Sequence, residues 1–457
     1  MSLSGPVSGG SHGWPFGVPT VDLARRGYRQ EEYFLQGEAD RYAPVAGSEL
    51  AWDGRWTVEP VGSAPYRTRM VVLRPEDPAA FNGTVLVLWN NVSAGYENFG
   101  GGDSEEVYEG GYAIAAVSAQ KVGVHGTGDN PQGLRAWDPE RYGSLTIPGD
   151  DYSFDIFSQA ARAVSPARPR DGMDPLGGLG VRRLVAMGAS QSAARLATYL
   201  NAVQPAVGRV FDGFFLIEYF GGGTPLQVGD AVMTVQAAEG GAPRIPEGVH
   251  LLREDLGVPV MVVNTECEST SCYPVRQPDS AQYRYWEIAG ASHVSLQGMV
   301  SSTPRMERDF GFSIPLSALG SVNQVSPAPV VDAALHHVQA WLTDGTPPPV
   351  QPLIDYAGDP AEIVRDDHRI ARGGIRLPSV DVPVAHNSAI QQAPDIFSRL
   401  LGYHEPLPVE EVRALYGTRE HYLELFEKAA LAAEAASVIL PRDVDPLMEE
   451  ARSICPL

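Results

Sequence analysis

The chain has 457 residues, of which 44% are hydrophobic and 20% are charged, as in ordinary folded proteins and unlike disordered ones. Its 56 acidic residues outnumber its 34 lysines and arginines, which gives a net charge of −22. Such a surface repels phosphate backbones, so nucleic acid is not expected as a partner. No run approaches the roughly eighteen apolar residues that a membrane-spanning helix needs, so no membrane span is expected.

The amino-terminal residues and the cysteines bear on the cellular compartment. The first ten residues contain neither the basic nor the apolar stretch of a secretion signal. We therefore expect the chain to be cytoplasmic as written, and secretion would require a signal that has been removed. The three cysteines, Cys267, Cys272 and Cys455, do not describe a disulfide scaffold. Free thiols are the favoured interpretation, with a Cys267–Cys272 pair as the alternative.

The amino-terminal part predicts an arm followed by antiparallel strands. Residues 1–30 are polar and rich in glycine and proline, as expected of an arm that wraps the surface. Strand-like stretches then alternate with proline and glycine up to residue 73. We assign residues 1–65 to this arm and the entry strands.

The central part, residues 66–345, predicts a mostly parallel, doubly wound sheet. Nearly continuous apolar runs are typical of strands that are buried on both faces, and they lie at residues 84–89, 112–117, 183–187, 213–217, 258–263 and 283–288. Helical patterns lie between or after them, at residues 152–164, 192–200 and 331–342. Alternating strands and helices favour a parallel sheet with right-handed crossovers.

The remaining segment, residues 346–457, predicts a cap or tail that packs on the core. It is rich in loops up to residue 400, and two amphipathic helices are expected from residue 408. We expect residues 372–378 to fold back over the carboxyl edge of the sheet, which makes Arg372 and Arg376 weak candidates for substrate contacts. The alternative is that both arginines pair with surface carboxylates.

The most informative stretch reads Gly-Ala-Ser-Gln-Ser at residues 188–192, between a predicted strand and a predicted helix. This context is that of a nucleophile elbow, a tight turn that needs small residues on both sides of the nucleophile. Ser190 would then stand at a helix N-terminus, where the helix dipole favours developing negative charge. Ser192 is the competing nucleophile, and an ordinary helix N-cap is the alternative role for either serine.

A nucleophilic serine needs a base and an acid, which follow it along the chain in hydrolases that carry this elbow. His293 lies just after a late apolar strand, in a turn that contains glycine. The acid should follow the preceding strand, where Glu266 and Glu268 are both available. Spacing from the strand end favours Glu268, and the choice between them stays open.

An oxyanion hole needs backbone N–H groups near the nucleophile. We expect one from Gln191, directly after Ser190, and a second from Asn91 or Val92, in the loop after residues 84–89. The chain contains no GxGxxG after a strand, no P-loop, no HExxH and no CxxC. No cofactor and no metal are therefore expected.

Several stretches resemble a known family: residues 31–37, 88–93, 117–123, 136–144, 188–192 and 371–378. In these, the chain resembles a bacterial family of α/β-hydrolase domain proteins that are related to serine esterases. The resemblance spans most of the chain, which favours one elongated unit. It implies an α/β-hydrolase fold and hydrolase chemistry, with Ser190 and His293 in the matching roles.

The expected function is a serine hydrolase that cleaves carboxylic esters through an acyl-enzyme on Ser190, with a Ser-Glu-His triad. Its partner would be a small-molecule ester. An acyltransferase with the same triad is one alternative, and a non-catalytic binding protein on a hydrolase scaffold is another. The residues do not identify the substrate or the oligomeric state.

Overall fold

The computed structural model describes residues 1–99, 104–127, 132–169, 172–229, 231, 248–390 and 396–457. A nine-stranded sheet forms its centre, in the strand order β1-β2-β3-β5-β4-β6-β7-β8-β9. These strands are β1 Ser2–Ser4, β2 Tyr28–Pro44, β3 Val58–Pro75, β4 Thr84–Trp89, β5 Ala113–Val117, β6 Arg183–Ala189, β7 Gly213–Ile217, β8 Val260–Thr265 and β9 Tyr283–Ile288.

The sheet is antiparallel at its amino-terminal end and parallel elsewhere. β1, β2 and β3 pair antiparallel, as do β3 and β5. From β5 to β9 all neighbouring strands are parallel. The prediction of a mostly parallel sheet with antiparallel entry strands is confirmed. The strands of the parallel part are almost wholly buried, which explains why they appear in the sequence as continuous apolar runs.

Helices cover both faces of the sheet. They are α1 Glu105–Glu109, α2 Lys121–His125, α3 Leu134–Trp137, α4 Pro139–Tyr142, α5 Ser153–Ala163, α6 Gln191–Thr198, α7 Gln204–Val207, α8 Glu266–Cys272, α9 Leu296–Phe310, α10 Ala328–Asp344, α11 Pro378–Asp381, α12 Ile396–Leu400, α13 Val409–Tyr416, α14 Arg419–Ala435 and α15 Val444–Ile454. Helices α5 and α6 pack with one apolar cluster, and α10 and α14 pack with a second. Such burial on both faces is expected of a doubly wound sheet.

Two short antiparallel hairpins lie in the C-terminal segment. They consist of β10 Tyr356–Ala357 with β11 Glu362–Ile363, and β12 Ala385–Ser388 with β13 Tyr403–Pro406. From residue 408 the structure has three helices, α13 to α15, where the sequence predicted two. The apolar side chain of Phe426 in α14 joins Leu335 and Val338 of α10 in one buried cluster, so this segment packs directly on the core.

The predicted segment boundaries divide this structure unevenly. The boundary between residues 65 and 66 falls inside β3, which pairs with β2 from Tyr28 to Pro44. The long connection between β7 and β8 lies partly outside the described residues. The division into residues 1–65, 66–345 and 346–457 therefore stays a prediction.

The amino-terminal arm is held by the helix that follows His293 in the chain. The Trp14 Nε1 atom and the Gly17 amide each donate a hydrogen bond of 3.0 Å to the Asp309 carboxylate at the end of α9. The Trp137 indole donates to the Asp309 carbonyl oxygen at 2.8 Å. Asp309 is buried, so these bonds tie the arm firmly to α9.

All three cysteines are free thiols, in agreement with the favoured interpretation. In the part of the chain that the structure describes, no helix combines the length and the apolar character needed to cross a membrane.

Candidate active site

Ser190 occupies a strained turn between β6 and α6. Its φ of 58° lies in the left-handed region, which non-glycine residues adopt mainly where the surrounding structure enforces it, often at functional sites. Its amide donates a hydrogen bond of 2.9 Å to the Ile217 carbonyl of the neighbouring strand. A Cβ atom at Gly188 would lie 2.9 Å from the Ser192 Cβ atom, so the turn requires glycine at that position. This is the geometry of a nucleophile elbow.

The two candidate serines differ in exposure. Ser192 is fully buried in the first turn of α6, whereas Ser190 is partly exposed. A nucleophile must reach its substrate, so burial counts against Ser192.

Glu268 is fixed at the start of α8 by a capping box. Its Oε2 atom accepts hydrogen bonds from the Thr265 amide at 2.8 Å and from the Thr265 hydroxyl at 2.7 Å. The Thr265 side chain in turn accepts a bond from the Cys267 amide. Helix capping therefore occupies one carboxylate oxygen of Glu268 and leaves the other, Oε1, available.

His293 lies in the loop after β9, and its imidazole is hydrogen-bonded to the second oxygen of Glu268, Oε1. Its Nδ1 atom lies 2.8 Å from Glu268 Oε1, and both side chains are buried. Because a carboxylate is a pure acceptor, Nδ1 must carry the proton. Burial alone would lower the pKa of His293, but the carboxylates of Glu218 and Glu268 outweigh it and raise that pKa above its ordinary value.

Glu266, the alternative acid, points elsewhere. Its Oε1 atom lies 2.8 Å from Arg365 Nη2, and its Oε2 atom accepts a hydrogen bond of 2.7 Å from the Gly290 amide. Burial raises the pKa of Glu266, and Arg365 opposes that shift. These contacts join the C-terminal segment to the loop that precedes His293, and of the two candidates it is Glu268 that contacts the imidazole.

Glu218 is a residue of this site that the sequence analysis did not identify. It follows β7 directly, and its Oε2 atom lies 3.8 Å from His293 Nε2. Its φ of 55° is left-handed, like that of Ser190. Burial raises the pKa of its carboxyl group above the ordinary value, while His293 opposes the shift. We call Glu218, Glu268 and His293 the histidine cluster.

The candidate oxyanion loop follows β4. The Asn91 amide is used in a backbone bridge to the Asn98 carbonyl, at 2.9 Å. The Asn91 side chain donates a hydrogen bond of 2.9 Å to the Ala189 carbonyl, directly before Ser190. The Val92 amide lies 3.5 Å from the side-chain oxygen of Gln191, a long and weak bond. Of the two predicted donors in this loop, Val92 is therefore the one whose N–H group is held only weakly, which makes it the better candidate to bind a substrate oxygen.

A buried set of ion pairs supports this loop, and we call it the arginine-paired cluster: Glu32, Arg69, Glu97 and Arg141. Arg69 contacts Glu32 at 3.1 Å and Glu97 at 2.7 Å, and Arg141 contacts Glu32 at 2.7 Å. The Asn90 side chain donates a hydrogen bond of 3.1 Å to Glu97. The cluster thus holds the start of the loop at the end of β4.

The two tail arginines lie beside the last strand. Ile375 forms a parallel bridge with Ile288 at the end of β9, so the segment runs along that sheet edge. Arg376 contacts Asp366 at 2.9 Å and Asp381 at 2.6 Å, whereas Arg372 is exposed. The pairing of Arg376 fits the structural alternative, and a substrate contact for Arg372 stays a prediction.

Ser190, Glu218, Glu268 and His293 thus follow four adjacent parallel strands at one edge of the sheet, the edge at which doubly wound sheets bind their ligands. The profile of the alpha/beta hydrolase domain family matches residues 3–449. The chain belongs to this family, and the α/β-hydrolase fold that the resemblance implied is confirmed.

The chain is also similar to solved structures at low sequence identity. Esterase Est22 is 12% identical, with a TM-score of 0.30 over 58% of this chain and 72% of that chain. A thermophilic PNB esterase is 12% identical, with a TM-score of 0.30 over 61% of this chain and 75% of that chain. Oligopeptidase B from Trypanosoma brucei is 10% identical, with a TM-score of 0.27 over 57% and 33% of the two chains. No curated protein sequence matches the chain significantly.

Proposed function

We propose that this protein is a serine hydrolase that cleaves carboxylic esters through an acyl-enzyme on Ser190. The observation that carries the proposal is the His293–Glu268 hydrogen bond of 2.8 Å, at the same edge of the sheet as a serine with left-handed φ on the strand-to-helix turn. With Nδ1 bonded to Glu268, Nε2 is left to act as the base. It lies 3.8 Å from Glu218, which neighbours Ser190 at the strand ends. This is the division of roles that a triad histidine needs.

Each residue then has a defined chemical task. His293 takes the proton of the Ser190 hydroxyl through Nε2 as the oxygen attacks the ester carbonyl. The N–H groups of Gln191 and Val92 stabilise the oxyanion. His293 passes the proton to the leaving alcohol, and the acyl group stays on Ser190. Water then attacks this acyl-enzyme with His293 again as the base, which releases the acid and restores the serine.

Glu268 stabilises the imidazolium that forms in both steps and fixes the tautomer. Its other oxygen is held by Thr265, so little reorganisation is needed when the charge appears. Preorganised partners of this kind supply a large share of the rate in acyl transfer.

Labelling with a fluorophosphonate probe tests the proposal. The native protein should react, and mass spectrometry of its peptides should locate the adduct on Ser190. Ser190→Ala should abolish the labelling and lower ester turnover by about a million-fold. Ser192→Ala is the matched control, because it removes a hydroxyl two residues away that is buried.

A panel of neutral esters with varied acyl and alcohol groups, run beside matched amides, tests the substrate class. Turnover of esters well above that of the amides supports the proposal. A native protein that neither reacts with the probe nor cleaves any ester would contradict it, and an adduct on Ser192 would overturn the choice of nucleophile.

A further inference from the structure

Two consecutive strand ends present a reactive side chain from a left-handed residue. In the part of the chain that the structure describes, four non-glycine residues have positive φ, and two of them are Ser190 and Glu218. Ala189 and Ile217, the residues before them, are register partners in β6 and β7. Ser190 and Glu218 therefore occupy neighbouring positions at the carboxyl edge of the sheet. Because strained residues cluster at functional sites, their adjacency favours a functional role for both side chains.

The contact between Glu218 and His293 is more favourable when the pair holds an added proton. With Nδ1 donating to Glu268, a neutral imidazole carries a lone pair on Nε2. A charged Glu218 carboxylate 3.8 Å from that lone pair would face it without a hydrogen between them. The arrangement is favourable when either Nε2 or the Glu218 carboxyl is protonated, and the site then holds one proton more than a triad with a single acid.

The surroundings provide no arginine to neutralise Glu218 among the described residues. The titratable groups that face His293 are Glu218 from the end of β7, and Glu268 and the Cys267 thiol from α8. The Phe220 ring packs 5.3 Å from the imidazole and adds no charge. The acids of the adjoining strand and helix are satisfied elsewhere, because Glu266 pairs with Arg365 and Glu287 pairs with Arg276.

We propose that Glu218 is a positioning residue that favours a proton on His293 Nε2 in the resting enzyme and sets the pH range in which His293 acts as a base. The proposal rests on the proposed function, in which Nε2 must lose that proton to solvent before it can accept one from Ser190. Once the proton is lost, the Glu218 charge stabilises the imidazolium that forms during attack. The same residue therefore restricts activity at low pH and increases it at high pH.

The test uses two variants of the full-length protein that remove the charge, Glu218→Gln and Glu218→Met. The titration of His293 is followed by NMR of protein labelled with ¹³C-histidine, with its signal assigned from a His293→Asn variant. In parallel, kcat and kcat/KM for a neutral ester are measured against pH. Glu254→Gln is the control, because Glu254 is partly buried and bonded to Gln277 and Ser280, before β8 and at the opposite edge of the sheet.

We expect both Glu218 variants to shift the NMR titration of His293 and the acid limb of kcat/KM to lower pH by about one to three pH units. The high-pH plateau of kcat should fall by about tenfold or less, because the imidazolium loses one stabilising charge. The Glu254 variant should move neither midpoint.

An unchanged or raised His293 midpoint in both Glu218 variants would overturn the proposal. The NMR titration does not depend on turnover, so the two proposals fail separately. A protein that cleaves no ester but shows the shifted titration refutes the esterase assignment and supports the role of Glu218. An active esterase in which the Glu218 variants leave the His293 titration unchanged supports the esterase assignment and refutes the role of Glu218.

Discussion

Two clusters of charge, one buried and one largely buried, lie at the same edge of the sheet, on opposite sides of the Ser190 turn. In the arginine-paired cluster, Glu32 and Glu97 each contact an arginine. In the histidine cluster, Glu218 and Glu268 share one imidazole. The first cluster thus balances its charges, whereas the second has two carboxylates for one base that titrates.

This difference indicates a structural role for the arginine-paired cluster and suits the histidine cluster to acid–base chemistry. An arginine stays charged at every physiological pH, so the first cluster has one stable state and acts as a fixed base for the loop after β4. An imidazole between two acids has several states of similar energy, and buried groups of this kind are typical of active sites. Burial of charge alone does not indicate a function, but imbalance of buried charge does.

The largest expected effect comes from removing the acid that contacts Nδ1. Glu268→Gln should lower kcat by about ten-thousand-fold, since the imidazolium loses its partner and the tautomer is no longer fixed. Glu266→Gln should cost far less, because Glu266 contacts Arg365 and not His293. Steady-state kinetics of the two variants checks this, and equal losses would mean that the acid lies elsewhere.

Breaking the arginine-paired cluster should affect stability. Arg69→Met leaves Glu32 and Glu97 buried with a lost partner, which typically costs about 3–5 kcal/mol of unfolding free energy. Arg29→Met is the matched control from the same region, since Arg29 and Glu76 form an exposed pair worth roughly 0–1 kcal/mol. Urea denaturation measures both, and a similar small loss in each would show that the cluster is not structural.

The link between the loop after β4 and the serine turn should have a moderate effect. Asn91→Ala removes the hydrogen bond to the Ala189 carbonyl, so we expect about a tenfold loss of kcat, in line with one hydrogen bond. Asn82→Ala is the comparison, because Asn82 bonds to the Gly110 carbonyl at the other edge of the sheet. If both variants lose stability but keep the kcat of the native protein, the Asn91 hydrogen bond does not position the site.

The smallest effect is a displaced pH profile in the native enzyme. His293 acts as a base only when unprotonated, and two carboxylates raise its pKa. The kcat/KM for a neutral ester should therefore rise with pH, with its midpoint above the ordinary histidine value of about 6.5. A midpoint at or below that value would show that the carboxylates do not dominate over burial.

The parallel core could be predicted from the sequence because its strands are buried on both faces. The bounds of β4, β7 and β9 match the predicted runs residue for residue. The long pairing of β2 with β3 was less visible, because burial along the seventeen residues of β2 does not alternate regularly. Two tail helices were expected where three form, because α13 and α15 are short, with eight and eleven residues, and carry short apolar stripes.

The site was predicted in part for similar reasons. Ser190 was proposed from the elbow motif, and His293 from the chain order of the triad and its place after a late strand. Glu218 also follows a strand, but its importance depends on a backbone angle that no local pattern reveals. The choice between Glu266 and Glu268 had a local signal, since Thr265 with Glu268 three residues later forms a capping box. That signal describes a helix start and does not by itself indicate which oxygen remains for a histidine.

The capping box on Glu268 also bears on how the enzyme would lose activity on heating. Helix α8 has seven residues, too few to be stable in isolation, so its first turn depends on the capping box and on packing. When Thr265 releases Glu268, the acid moves away from His293, although the sheet and its apolar clusters remain folded. Thermal inactivation would then begin as a local, reversible opening of one helix end, several degrees below the temperature at which the whole chain unfolds.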